Sequence, residues 1–167
     1  TLNVDEMVAQ LLVSEGFATL EEVAFVNQDE ITSIDGFDET TAEELQARAR
    51  ECLEEINNKA LNNAKSMGLK EDLENFPGLN PQMLEALAKD DVKSLDEFAK
   101  CADWELAGGY TTVDGKRVKD EGLLEHLEVS LEEARNLVMS ARLKLGWISQ
   151  EEFDKEIKNN DEEIKND

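Results

Sequence analysis

The chain carries an internal duplication, and this limits what it can fold into more than any other feature. Set GFATLEEVA (Gly16–Ala24) over DVKSLDEFA (Asp91–Ala99), a shift of 75 positions. Thr19 falls on Ser94, Leu20 on Leu95, Glu22 on Glu97, Val23 on Phe98 and Ala24 on Ala99. The match extends backward through Val8/Met83 and Leu12/Leu87, and forward through Glu30/Glu105 and Ile31/Leu106. Further on, Ala42, Leu45, Ala49 and Arg50 match Ala134, Leu137, Ala141 and Arg142 at a shift of 92. Copy two therefore holds an insertion of 17 residues between Gly108 and Leu127.

Each copy reads as short helices joined by tight turns. In copy one, apolar residues recur at helical spacing: Val4, Val8, Leu11 and Leu12; then Leu20, Val23 and Ala24; then Ala42, Leu45, Ala49, Leu53 and Ile56. Thr19/Glu22, Thr40/Glu43, Ser94/Glu97, Ser130/Glu133 and Ser149/Glu152 are capping boxes. A cap contributes on the order of 1 kcal/mol, which matters in copies this small. Two turns read apolar-x-Gly-apolar, Ile34-Asp35-Gly36-Phe37 and Phe76-Pro77-Gly78-Leu79, as expected of a hairpin between two helices. The helix starting near Thr41 runs toward Met67 and stops at Gly68. Asn57, Asn58, Asn62 and Asn63 in its second half are poor helix formers and predict fraying into a linker.

The predicted fold is all-α: two tandem helix-hairpin-helix-type (SAM-like) domains, residues 1–67 and 68–159. In the insertion, about residues 108–122, Asp114-Gly115 lies between β-prone runs, a hairpin-turn signal that predicts an exposed loop or a small two-stranded hairpin in domain two. It holds the cations Lys116, Arg117 and Lys119, which also suit a solvated loop tip. Ile148 and Phe153 staple the Ser149 cap of a final short helix, and residues 160–167 read as a disordered tail.

Charge decides among functions. Forty Asp and Glu against seventeen Lys and Arg leave a net charge of −23. Polynucleotide affinity needs clustered cations, so the chain as a whole is a poor nucleic-acid ligand and a poor match for an anionic membrane. Its field steers in basic proteins and peptides. No apolar run reaches the ~18–20 residues that span a bilayer. The acidic start TLNVDEMVAQ has no signal-peptide character and no initiating Met, as expected of a piece of a longer protein or one whose Met was removed. Cys52 and Cys101 lie far apart and outside any CxxC, suggesting small packed side chains in a cytoplasmic setting. The single histidine, His126, has no partnered nucleophile, and no metal-ligand spacing, EF-hand loop or phosphate loop is present, so neither enzyme, metal nor cofactor is expected. Trp104 and Trp147 suit interface anchors, and Trp147, after Gly146, equally suits a contact at a helix end.

Apolar-x-Gly-apolar turns between helices characterise helix-hairpin-helix modules, which present backbone N–H groups to a DNA phosphate. Here Gly36 sits among Asp35, Asp38 and Glu39, and Gly78 follows Glu74. Each such carboxylate repels a phosphate by about 1 kcal/mol even in a water-like dielectric. The hairpin architecture is expected to persist without the phosphate site.

Taken together, Gly16–Ala24, Glu30–Leu45 and Ala141–Trp147 resemble the C-terminal acidic repeats of the bacterial transcription elongation factor NusA, over about residues 1–150. Copy two departs from that pattern at His126-Leu127-Glu128-Val129, with Glu in place of Gly, and at the insertion. The resemblance implies docking modules of a transcription elongation, termination and antitermination factor. The partners it implies are the C-terminal domain of the RNA polymerase alpha subunit, a NusG-like elongation factor, basic antitermination peptides, and the RNA-binding domains of the chain's own full-length protein. On this reading Asp35, Gly36, Phe37, Asp38 and Glu39 meet a basic amphipathic peptide, while Leu95, Phe98 and Trp104 meet a folded domain. The rival is a helix-hairpin-helix pair that binds duplex DNA, which predicts a steep salt dependence.

Overall fold

The structure is a computed structural model and describes residue 10, residues 12–17 and residues 19–163. Val4, Val8 and Leu11 of the expected first helix lie outside those residues. The fold is all-α with one small β-hairpin insertion. It divides into two compact units, residues 1–59 and 60–167.

Unit one consists of helical residues 12–14, α1 (Leu20–Phe25), α2 (Gln28–Thr32) and the first part of α3 (Glu39–Ser66). Its core holds Leu12, Val23, Ala24, Ile31, Ile34, Ala42, Leu45, Ala49 and Leu53. Unit two continues with the end of α3, then α4 (Glu71–Glu74), α5 (Pro81–Lys89), α6 (Leu95–Lys100) and α7 (Asp103–Ala107). The strands β1 (Gly109–Val113) and β2 (Lys116–Asp120) follow, then a 3-10 turn at Glu125–Leu127, α8 (Leu131–Lys144) and α9 (Gln150–Glu163). Its core includes Leu73, Phe76, Leu84, Leu87, Phe98, Leu106, Leu124 and Val138.

The duplication is visible in individual hydrogen bonds. In copy one the amides of Glu15, Gly16 and Phe17 donate to the carbonyls of Leu12, Val13 and Leu12. In copy two Asp90, Asp91 and Val92 donate to Leu87, Ala88 and Leu87. Both turns close a helix with a left-handed residue, Gly16 (φ 98°) and Asp91 (φ 64°). A side-chain tie repeats as well: Arg50 Nε donates to the Ala24 carbonyl at 2.9 Å, and Arg142 Nε to the Ala99 carbonyl at 2.8 Å.

Caps begin most of the helices. Thr19/Glu22, Ser94/Glu97 and Ser130/Glu133 form complete capping boxes, and the Ser149/Glu152 pair bonds in both directions. Thr40/Glu43 does not cap. The helix already starts at Glu39, and Asp38 Oδ1 accepts from the Thr41 amide at 2.7 Å. Asp is as good an N-cap as Thr, so the earlier residue takes the position.

Two further expectations are corrected. The Asn-rich half of α3 does not fray: the helix is continuous to Ser66. Ala64 belongs to the core of unit two, Ala60 is buried, and Asn63 Nδ2 donates to Glu85 Oε1 at 3.0 Å. Tertiary packing thus overrides weak propensity. The two compact units divide at Lys59/Ala60, and the first domain read from sequence ended at residue 67. The final helix is also not short: α9 has 14 residues and runs through Glu163, into the segment read as a disordered tail. Residues 164–167 lie outside the described residues.

The insertion forms the expected hairpin. Antiparallel pairs run from Gly109/Asp120 to Val113/Lys116. Asp114 (φ 51°) and Gly115 (φ 75°) give the doubly left-handed turn that matches strand twist. The base is pinned where Leu123 and Leu124 donate to the carbonyls of Glu105 and Leu106 at 2.9 and 2.8 Å. Gly122 lies so close to the Ala107–Gly108 backbone that no β-carbon fits there.

Candidate functional site

In unit one the hairpin is built by the end of α2 and the start of α3. Ser33 Oγ closes on the Glu30 carbonyl at 2.6 Å, and the Phe37 amide donates to the Ile34 carbonyl at 3.1 Å. Ile34 is buried and Phe37 packs half-buried against the core, so the apolar pair anchors the turn. Gly36 takes φ 93° with open space where a β-carbon would point, so backbone geometry rather than crowding calls for glycine. Asp35, Asp38 and Glu39 are all exposed around it. Hydrogen bonds from Thr41, side chain first and backbone second, hold the Asp38 carboxyl below the ordinary aspartate range. Asp38 is therefore the cap of α3, while Asp35 and Glu39 remain on the surface. The structure brings these five expected residues together on one turn.

The expected residues of copy two separate. Leu95 is 3% exposed and Phe98 0%, with the Phe98 ring 6.0 Å from that of Phe76. Both belong to the core and cannot meet a partner without unfolding unit two, which corrects their assignment as contact residues. Their apolar character signalled burial, not docking. Trp104 is 46% exposed on α7, a surface aromatic.

Sequence reasoning missed the place where the hairpins of unit two converge. Gly78 of the first and Leu127, Glu128 and Val129 of the second line a groove of about 310 Å³, floored by Met83 and Leu137. Glu128 occupies the Gly36-equivalent position and keeps a left-handed backbone, φ 59°. Its side chain is exposed at the rim. The turn that departs from glycine in sequence keeps its geometry and carries a carboxylate.

Other chemistry is quiet. His126 is exposed. The Cys101 thiol is pushed up to about 11, first by burial and next by the Glu105 charge, which makes it unreactive. No group of three His, Cys, Asp or Glu among the described residues is placed to hold a metal. No helix among them is long and apolar enough to cross a membrane.

With two hairpins of this geometry in place, similarity to known proteins becomes informative. The SAM-like helix-hairpin-helix tandem family matches residues 4–51, the whole of the first hairpin included. The transcription termination/antitermination protein NusA of Rickettsia conorii is 26% identical over 99 residues. The chain fits a NusA C-terminal helix-hairpin-helix-like domain. NusA of Rickettsia prowazekii is likewise 26% identical over 99 residues. Each alignment covers 59% of this chain and 20% of the relative, so the chain matches only a fifth of those proteins' length. No solved structure matches it.

Proposed function

We propose that the chain is a non-enzymatic docking module of a transcription elongation, termination and antitermination factor, taking basic protein partners. The observation that carries the reading is the Gly36 turn. It keeps the backbone of a helix-hairpin-helix motif while Asp35, Asp38 and Glu39 surround it. A phosphate arriving there meets repulsion from each carboxylate, and a Lys or Arg side chain meets attraction of the same size.

Unit two offers the complementary half of such recognition. Its groove takes one apolar side chain against Met83, Val129 and Leu137, while Glu128 meets a flanking cation. An amphipathic basic helix supplies both from adjacent turns. The partners that fit are the C-terminal domain of the RNA polymerase alpha subunit, a NusG-like elongation factor, basic antitermination peptides, or the RNA-binding domains of a longer chain.

The test is fluorescence anisotropy of a labelled basic amphipathic peptide with the whole chain. Asp35→Lys with Glu39→Lys, and separately Glu128→Lys, should each weaken binding about fivefold to tenfold, with a smaller effect at high salt. Affinity unchanged by both reversals would contradict the proposal. Asp38 is left intact because it caps α3.

A further inference from the structure

The insertion hairpin reverses the character of the rest of the surface. Lys116, Arg117 and Lys119 fall within four positions of a chain whose net charge is −23. The register puts Tyr110 opposite Lys119 and Thr112 opposite Arg117, so these four share one face of the ribbon. The Arg117 guanidinium lies over the Tyr110 ring, 4.2 Å from its centroid. Tyr110 is nevertheless 60% exposed, and every residue from Thr112 to Lys119 is exposed. Lys119 is held by Glu125 at 2.6 Å.

A two-stranded ribbon with neither face buried is marginal by itself. This one is kept in place by the backbone ties at its base, and on one face it presents a ring, a planar cation and the Lys119 ammonium group to solvent. We propose that this face is a contact site for single-stranded nucleic acid. A base stacks on the Tyr110–Arg117 pair, and Lys119 on the same face meets a backbone phosphate. An acidic peptide would satisfy the cations but has no use for the exposed ring, whereas every base has a face to stack. The same chain rejects duplex at its helical hairpins, because the carboxylates there are local and screened within about 10 Å.

The whole chain, labelled with nitrogen-15, is titrated at 150 mM salt with a uridine 12-mer, a thymidine 12-mer and a glutamate 12-mer. Amide shifts confined to the hairpin with either oligonucleotide support the site, and the two oligonucleotides distinguish RNA from DNA as its source. Tyr110→Ala and Arg117→Glu should each weaken binding roughly tenfold, while Tyr110→Phe, which keeps the stack, should stay close to the parent. Unchanged amides outside the hairpin show that each variant is folded. A response to the glutamate peptide alone, shifts that survive both variants, or no shift at millimolar oligonucleotide would overturn the proposal.

Discussion

Copy one uses glycine at both of its left-handed turns, Gly16 and Gly36, where copy two uses Asp91 and Glu128. The backbone angles survive the exchange because helix ends and core contacts impose them, including the same three amide bonds at the first turn. Copy two accepts local strain of about 1–2 kcal/mol at a non-glycine left-handed residue. In return it places two further carboxylates at exposed bends. A second difference runs the other way. In copy one the Ala24 and Val26 carbonyls are served by two side chains, Arg50 and Gln46. In copy two Val138 takes the place of Gln46, and Arg142 serves both Ala99 and Cys101, with Nη2 3.3 Å from the Cys101 oxygen. Copy two is the more strained and depends more heavily on a single arginine.

The largest expected effect comes from breaking that dependence. Arg142→Ala should destabilise unit two by about 2–3 kcal/mol, because two carbonyls lose a charged donor. Arg50→Ala should cost unit one about half as much, since Gln46 still reaches Val26. Both tryptophans, Trp104 and Trp147, lie in unit two, so fluorescence during urea unfolding reads that unit, and amide exchange at Ile31 and Ala49 reads unit one. Gly36→Ala should come next, at about 1–2 kcal/mol in unit one, from backbone strain alone. Its mirror, Glu128→Gly, should stabilise unit two by less than about 1 kcal/mol, because relief of strain is offset by a freer unfolded chain. A destabilising Glu128→Gly would mean that the carboxylate holds the turn. The smallest effect is on pH dependence. Backbone hydrogen bonds, from Lys93 to Glu97 and from Ser130 to Glu133, and next the Ser94 and Ser130 side chains hold the two carboxyls below the usual range. Their stabilisation is complete above the ordinary Glu value of about 4.3 and is lost as pH falls through the lower folded values. The urea midpoints of the parent and a Glu97→Gln/Glu133→Gln variant should therefore converge on acidification.

Much of this was legible in the sequence, for reasons that are local. Capping boxes, the Asp114-Gly115 turn and the Gly36 bend each depend on a few adjacent residues whose chemistry admits one geometry. What was misread depends on distant packing. The run from Asn57 to Asn63 looks like a linker, yet Ala60 is buried and Ala64 packs in the second core. Leu95 and Phe98 look available because a short helix shows both of its faces in sequence, and the packing that buries them, Phe76 against Phe98 included, comes from distant elements. The left-handed geometry of Glu128 is not legible from residue type, because glycine usually marks it. The groove between Gly78 and Glu128 joins residues fifty positions apart, and no local pattern marks it.

The proposed docking role requires that the acidic bends favour cationic polypeptide over phosphate. The most direct measurement is a pair of heteronuclear NMR titrations of the whole chain, one with a basic amphipathic peptide and one with a 12-base-pair duplex, at equal concentration and salt. The account predicts that the peptide moves the amides of Gly36 and Glu128 and that the duplex leaves Gly36 and Gly78 unmoved. Saturable shifts of Gly36 or Gly78 with duplex, and none with peptide, would contradict it.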